Sequence, residues 1–212
     1  MDASEYIKES EHAVRQLFEG AAYYRQILQE MPNPVFVSGI PFDDKDLWNE
    51  AFSKWYEENK TDIERSREKS HEYFGLSFSN ATLCGSILQI ASMAIDSFSQ
   101  NEEVPESCSG FVNSGQKAVK SCIGREVRGL PVGIVIYAAR NQYNHWDDPN
   151  QRRITQAVFD ALALGHGYGP VRDPAFDLSN PKLDIYSHNI LTLLEWSTYE
   201  DYETDIRTLI LP

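Results

Sequence analysis

Arg140, Asn141 and His145 lie in the six-residue segment Arg140-Asn141-Gln142-Tyr143-Asn144-His145. Histidine titrates near neutrality and moves protons, while arginine holds anionic oxygens in a rigid fork of donors. If the segment ends a helix, Asn141 and His145 fall one turn apart. The three side chains can then face one phosphodiester. The bland alternative is that Arg140 and His145 cap the helix and pair with Asp147 and Asp148. Adjacent carboxylates after a helix more often cap or solvate than bind metal, so no metal site is expected there.

The element that must position these residues is the apolar run from Leu130 to Ala139. Its Val-Ile-Val content suits a buried strand or a buried helix, and periodicity does not decide between them. Elsewhere the pattern is helical. Val14, Leu17, Phe18, Ala21, Tyr24 and Leu28 share one face of a long N-terminal helix, with Ser4 as its expected cap. Prolines at 32 and 34 stop it, and Val35-Phe36-Val37 reads as a brief extended piece. Asp43 and Asp44 open a second helix that lines up Trp48, Phe52 and Trp55, with a solvated polar continuation to Lys69. From Asn80, Leu83, Ile87, Ile90, Ala91, Ala94 and Phe98 trace the stripe of a core helix. Residues 100–114 read as a loop, 151–164 as a helix, the stretch from there to about Pro181 as a loop, and Ile190 to Leu194 as a last helix before a short tail. With almost no alternating segments, the expected class is all-α: a bundle of four or five main helices with an N-terminal helical extension. The expected division is residues 1–75, either a region of their own or part of the same domain, and residues 76–212.

Composition narrows the function classes. The chain has 212 residues, is 42% apolar and 12% aromatic, and carries a formal charge of -13. It can fold around a real core, and it does not coat nucleic acid non-specifically. Between Gln116 and Arg153, however, seven basic side chains face three acidic ones, a local net of +4. Such a zone suits a small anionic footprint. Cys84, Cys108 and Cys122 are odd in number and form no Cys-x-x-Cys pair, so reduced thiols are expected, as in a cytoplasmic protein. No basic start leads into an apolar stretch, and the longest apolar run is about half of a bilayer span, so neither a secretory signal nor a membrane role is expected.

Arg140-Asn141-x-x-x-His145, at the end of an apolar stretch in a helical chain, resembles the Arg-x(4–6)-His signature of HEPN domains, in which a polar residue commonly follows the arginine. The resemblance covers the signature and the helical layout, and it is not carried over residues 1 to 75. It implies a helical bundle that dimerises, pairing two signatures in a cleft, and it turns Pro131 to His145 towards helix. Many members are metal-independent endoribonucleases; others are binding or scaffolding modules. The implied roles are His145 for the proton at the ribose 2′-hydroxyl or leaving oxygen, Arg140 for the scissile phosphate and Asn141 for orientation. Lys120, Arg125, Arg128, Tyr143 and Asn144 become candidate RNA-binding residues, with Tyr143 and Trp146 offering faces either to a base or to a dimer interface.

The expected activity is therefore cleavage of RNA, without a cofactor or metal, by a homodimeric toxin or stress effector that a regulatory protein could control. The alternatives are a non-catalytic binder of RNA or a nucleotide, and a helical protein-interaction module. Gly165-His166-Gly167-Tyr168-Gly169 follows a helix and precedes a proline, so it reads as a helix stop rather than a phosphate cradle. The acidic stretch Glu200 to Asp205 reads as solvated surface.

Overall fold

A computed structural model describes residues 1–30, 34–40, 44–148, 152–164 and 171–211. The protein is all-α. Its α-helices are α1 (Ala3–Gln29), α2 (Lys45–Phe98), α3 (Val132–Asn144), α4 (Arg153–Ala163), α5 (Ser187–Leu193) and α6 (Tyr199–Ile210). Short 3-10 turns at Glu106–Cys108 and Lys117–Ser121 and a two-residue hairpin, Glu126–Val127 against Leu130–Pro131, join α2 to α3. The expected stop at Met31 to Asn33, the cap at Asp43 and the glycine-rich stretch from 165 to 170 lie outside the described residues.

Two compact units divide the chain. One contains residues 1–21 and 79–212, the other residues 22–78. In the smaller unit Phe36 sits edge-on to Trp48 and Phe52, with centroids 5.4 and 5.3 Å away, and Trp55 joins them at 5.5 Å. Asp44 Oδ1 accepts the Leu47 N–H at 3.2 Å, capping α2. Val35 to Val37 forms no strand.

The larger unit is built around the α2 stripe. Ile87, Leu88, Ala91, Ala94 and Ile95 are buried with Val14 and Phe18 of α1, Ile134 and Ile136 of α3, Phe159 and Leu162 of α4, and Ile206 and Leu209 of α6. Side chains fasten the ends: Tyr6 Oη donates to Ile90 O at 3.0 Å and Ser187 Oγ to Ala81 O at 2.8 Å. Leu76 to Phe98 is long and apolar enough to cross a membrane by length and composition, with a hydropathy of 1.3. Half of that stretch is buried within the protein, as in an ordinary core helix.

Three expectations are corrected. The cap of α1 is Asp2, not Ser4: Asp2 Oδ1 accepts the Glu5 N–H at 2.8 Å. The two expected helices on either side of residues 70–79 are one helix of 54 residues. That stretch holds no proline and a single glycine, and one glycine costs a helix only about 1 kcal/mol. The acidic tail is α6, a core helix. Thr198 and Asp201 form its capping box, and Tyr199, Tyr202, Ile206, Leu209 and Ile210 are buried behind it.

Candidate active site around Arg140

The hairpin before α3 sets the helix in place. Arg128 (φ 50°) and Gly129 (φ 75°) turn it with two left-handed residues, the turn that a two-residue hairpin favours. Pro131 then stands at the N-cap of α3. Val132 N–H donates to Arg125 O at 2.8 Å and Gly133 N–H to Ile123 O at 3.1 Å. A Cβ on Gly133 would stand 2.5 Å from Ser121 O, so only glycine lets α3 approach this backbone. The helix that follows is buried nearly all round, from Val132 to Ile136 and again at Ala138 and Ala139. The strand alternative for this run is thereby settled in favour of helix.

Arg140 emerges from that helix 24% exposed, with its guanidinium turned to α2. Nη1 donates to Asn141 Oδ1 at 2.9 Å, and Nη2 lies 3.7 Å from Asp96 Oδ2. The bland reading paired Arg140 with Asp147 and Asp148; its carboxylate here is Asp96. Asn141 is 2% exposed. Arg140 Nε, Asn141 Nδ2 and Asp96 Oδ1 are all buried without a hydrogen-bond partner. Unsatisfied polar atoms are uncommon in folded proteins, and three in one cluster lack the partners that the described side chains would supply. His145 is half-buried at the C-cap of α3, its N–H reaching Asn141 O at 3.1 Å.

The other candidates divide. Tyr143 lies against Gly85 of α2, where an added Cβ would meet the ring at 2.5 Å, and exposed Asn144 donates to Gln89 Oε1 at 3.1 Å. Both stay on the α2–α3 seam. Lys120 Nζ donates to Asp96 O at 3.1 Å, closing the C-terminal turn of α2 at the residue whose carboxylate faces Arg140. Arg125 is elsewhere, in a clamp: Nε donates to Asp205 Oδ1 at 2.9 Å, and Nη2 to Asp205 Oδ2 at 2.9 Å and Leu194 O at 2.6 Å. Arg128 donates to Leu162 O and to Asp173 Oδ2, the latter at 2.9 Å, and stacks on Phe176. The basic zone of the linear sequence is thus spent largely on internal contacts.

At the far end of α3 opens a cavity of about 1110 Å³. Gln142 lines it but is tied into the fold, donating to Asp184 O at 2.7 Å and accepting from Tyr186 N at 3.2 Å. Trp146, Asp147 and Asp148 line it too, as do Asp160, Asp177 and Asp184. Its only cation among the described lining residues, Arg172, pairs with Asp160 at 2.6 Å and Asp177 at 3.2 Å. A wall of five carboxylates and one arginine repels phosphate. Among the described residues no group of three or more His, Cys, Asp and Glu could hold a metal ion.

Sequence reasoning missed Asp96, the residue that holds Arg140. Its signal was available: a lone carboxylate inside the apolar stretch Ile87 to Phe98 must have a partner. Comparison with protein-family models, with curated proteins and with solved structures gives no match for this chain.

Proposed function

We propose that the protein is a HEPN-like endoribonuclease whose working groups are Arg140, Asn141 and His145. The observation that carries this reading is the cluster of buried, unsatisfied polar atoms on Arg140, Asn141 and Asp96. Asp96 and Asn141 fix the guanidinium in a direction set by the α2–α3 seam, so it receives a phosphate oxygen without first being ordered. His145, at the end of the same helix, moves the proton of the attacking 2′-hydroxyl or of the leaving oxygen. The chemistry requires that hydroxyl and therefore RNA. Two chains related by a two-fold axis would pair their sites in one cleft.

A second reading has its own support. Arg125 and Arg128 are committed to the fold and the neighbouring cavity is acidic. Both fit a helical protein-interaction module better than an RNA binder. Incubating the purified full chain with mixed RNA, with and without EDTA, separates the two. The nuclease reading expects chelator-resistant cleavage with 2′,3′-cyclic phosphate ends, lost in an Arg140→Ala/His145→Ala protein that keeps its helical circular dichroism. Intact RNA at micromolar protein favours the interaction module.

A further inference from the structure

The rings that hold the smaller unit together are half-buried rather than buried. Phe36, Trp48, Phe52 and Trp55 each keep part of their surface in solvent, although Trp48 and Phe52 stack at 5.4 Å with planes 4° apart. Tyr56 extends the cluster, 6.3 Å from Phe52, and is exposed. Because Phe36 turns inward from an extended chain, its neighbours turn outward, and Val35 and Val37 are 64% and 85% exposed. Leu47, next to Trp48, is exposed as well.

A single exposed valine or leucine means little, since every protein surface is rich in apolar atoms. Exposed Val35, Val37, Leu47 and Tyr56 all adjoin one aromatic cluster, and a patch of that kind marks a surface that another molecule covers. Charge selects among the occupants. Residues 44–58 hold five acidic side chains against two lysines, a net of -3. By helical spacing Asp44, Leu47, Ala51 and Glu58 share one flank of α2, beside the ring stripe, with Lys54 at its margin. An isologous second copy would bring this acidic surface against itself, and anionic lipid headgroups would meet the same repulsion. A cationic segment is attracted, and its guanidinium or ammonium groups gain the face of Tyr56 besides.

We propose that the face built by Val35, Val37, Leu47 and Tyr56 is a docking surface for a basic amphipathic helix of another protein. The apolar side of that helix packs over the four exposed side chains and completes the burial of the rings beneath. Its lysines and arginines lie towards Asp44 and Glu58, both exposed. A helix suits the surface because α2 presents its flank at three- and four-residue spacing, which the ridges of a second helix match.

The test titrates the full chain into a fluorescein-labelled peptide of about 18 residues, five helical turns, with leucines on one face and lysines on the other. A matched peptide carries glutamates in place of the lysines. Anisotropy should show saturable binding of the lysine peptide, weakening as salt rises, and none of the glutamate peptide. Val35→Ser/Val37→Ser should weaken binding about tenfold through lost apolar burial. Glu57→Lys/Glu58→Lys should weaken it by a similar factor, about tenfold at low salt.

Arg140→Ala/His145→Ala should bind the peptide like the parent, so the docking surface and the nuclease reading stand or fall separately. Equal binding of both peptides, or no binding of either, would overturn the proposal. So would loss of binding in Asp147→Asn/Asp148→Asn, which places the peptide in the acidic cavity instead. Tighter binding to phosphatidylcholine or phosphatidylserine vesicles than to the peptide would give the face to lipid. A dimer by light scattering that Val35→Ser/Val37→Ser disperses would give it to a second copy. Circular dichroism checks each variant, and the Glu57→Lys/Glu58→Lys protein, changed at exposed positions, decides alone if the serine variant loses its helical signal.

Discussion

Arg125→Ala tests whether the basic residues ahead of α3 serve the fold or a ligand. Arg125 gives three well-formed hydrogen bonds to Asp205 and Leu194 O, between 2.6 and 2.9 Å. The Asp205 side chain is 9% exposed, and its one remaining donor in the variant would be Trp196 Nε1 at 2.8 Å. Removing one partner of a buried pair costs roughly 3–5 kcal/mol, because the other charge is stranded. Arg125 itself is 43% exposed, so water can replace part of what it gives. A loss of about 3 kcal/mol follows, or roughly 6–12 °C in Tm for a chain of this size. Urea and thermal unfolding measure it, with Trp196 fluorescence as a local reporter. A double-mutant cycle with Asp205→Asn should return a coupling of at least about 1 kcal/mol. A variant that melts within 2 °C of the parent would refute the clamp and return Arg125 to the list of free cations. By the same reasoning, reversing Lys120, Arg125 and Arg128 together to Glu should cost the fold before it costs any RNA affinity.

Gly133→Ala should destabilise by about 2 kcal/mol despite alanine's better helix propensity, because its Cβ would meet the backbone oxygens of Ser121 and Ile123. A rise in urea midpoint would contradict the seating of α3. Alkaline pH should unfold the protein between pH 10 and 12. Burial, above all, pushes Tyr186 and Tyr199 up to about 12 and raises Tyr202 as well. The folded state therefore holds tyrosine protons that the unfolded chain releases near 10, and stability present below pH 10 is lost as pH rises through 12. Tyrosinate absorbance that reaches its full amplitude near pH 10 while the helical signal is intact would contradict this.

Some of this was legible in the residues and some was not. The core stripe of α2 and the helix at 153–163 follow from three- and four-residue spacing of apolar side chains. The helical state of residues 132–144 did not, because Val-Ile-Val is equally at home in a strand; the resemblance tipped it. The last helix was misread because Glu200 to Asp205 is acidic, although Thr198-x-x-Asp201 and the spacing of Tyr199, Tyr202, Ile206 and Leu209 announced it. At the candidate site, the meeting of Arg140 with Asn141 is local and readable. Its meeting with Asp96, 44 positions away, is tertiary and hidden from any window. The basic zone misled for a related reason: charge tallied along a chain says nothing of which carboxylates, such as Asp173 and Asp205, fold back onto it.

The central claim concerns His145 and RNA, and one rate comparison reaches it most directly. Single-turnover cleavage of a mixed RNA substrate is measured in EDTA for the parent and for His145→Ala, with folding checked by circular dichroism. The account expects a parent that cuts, and a variant slower by about a hundred- to ten-thousand-fold, the usual contribution of a placed acid or base. Equal rates in two folded proteins, or a parent that leaves RNA intact, would contradict it.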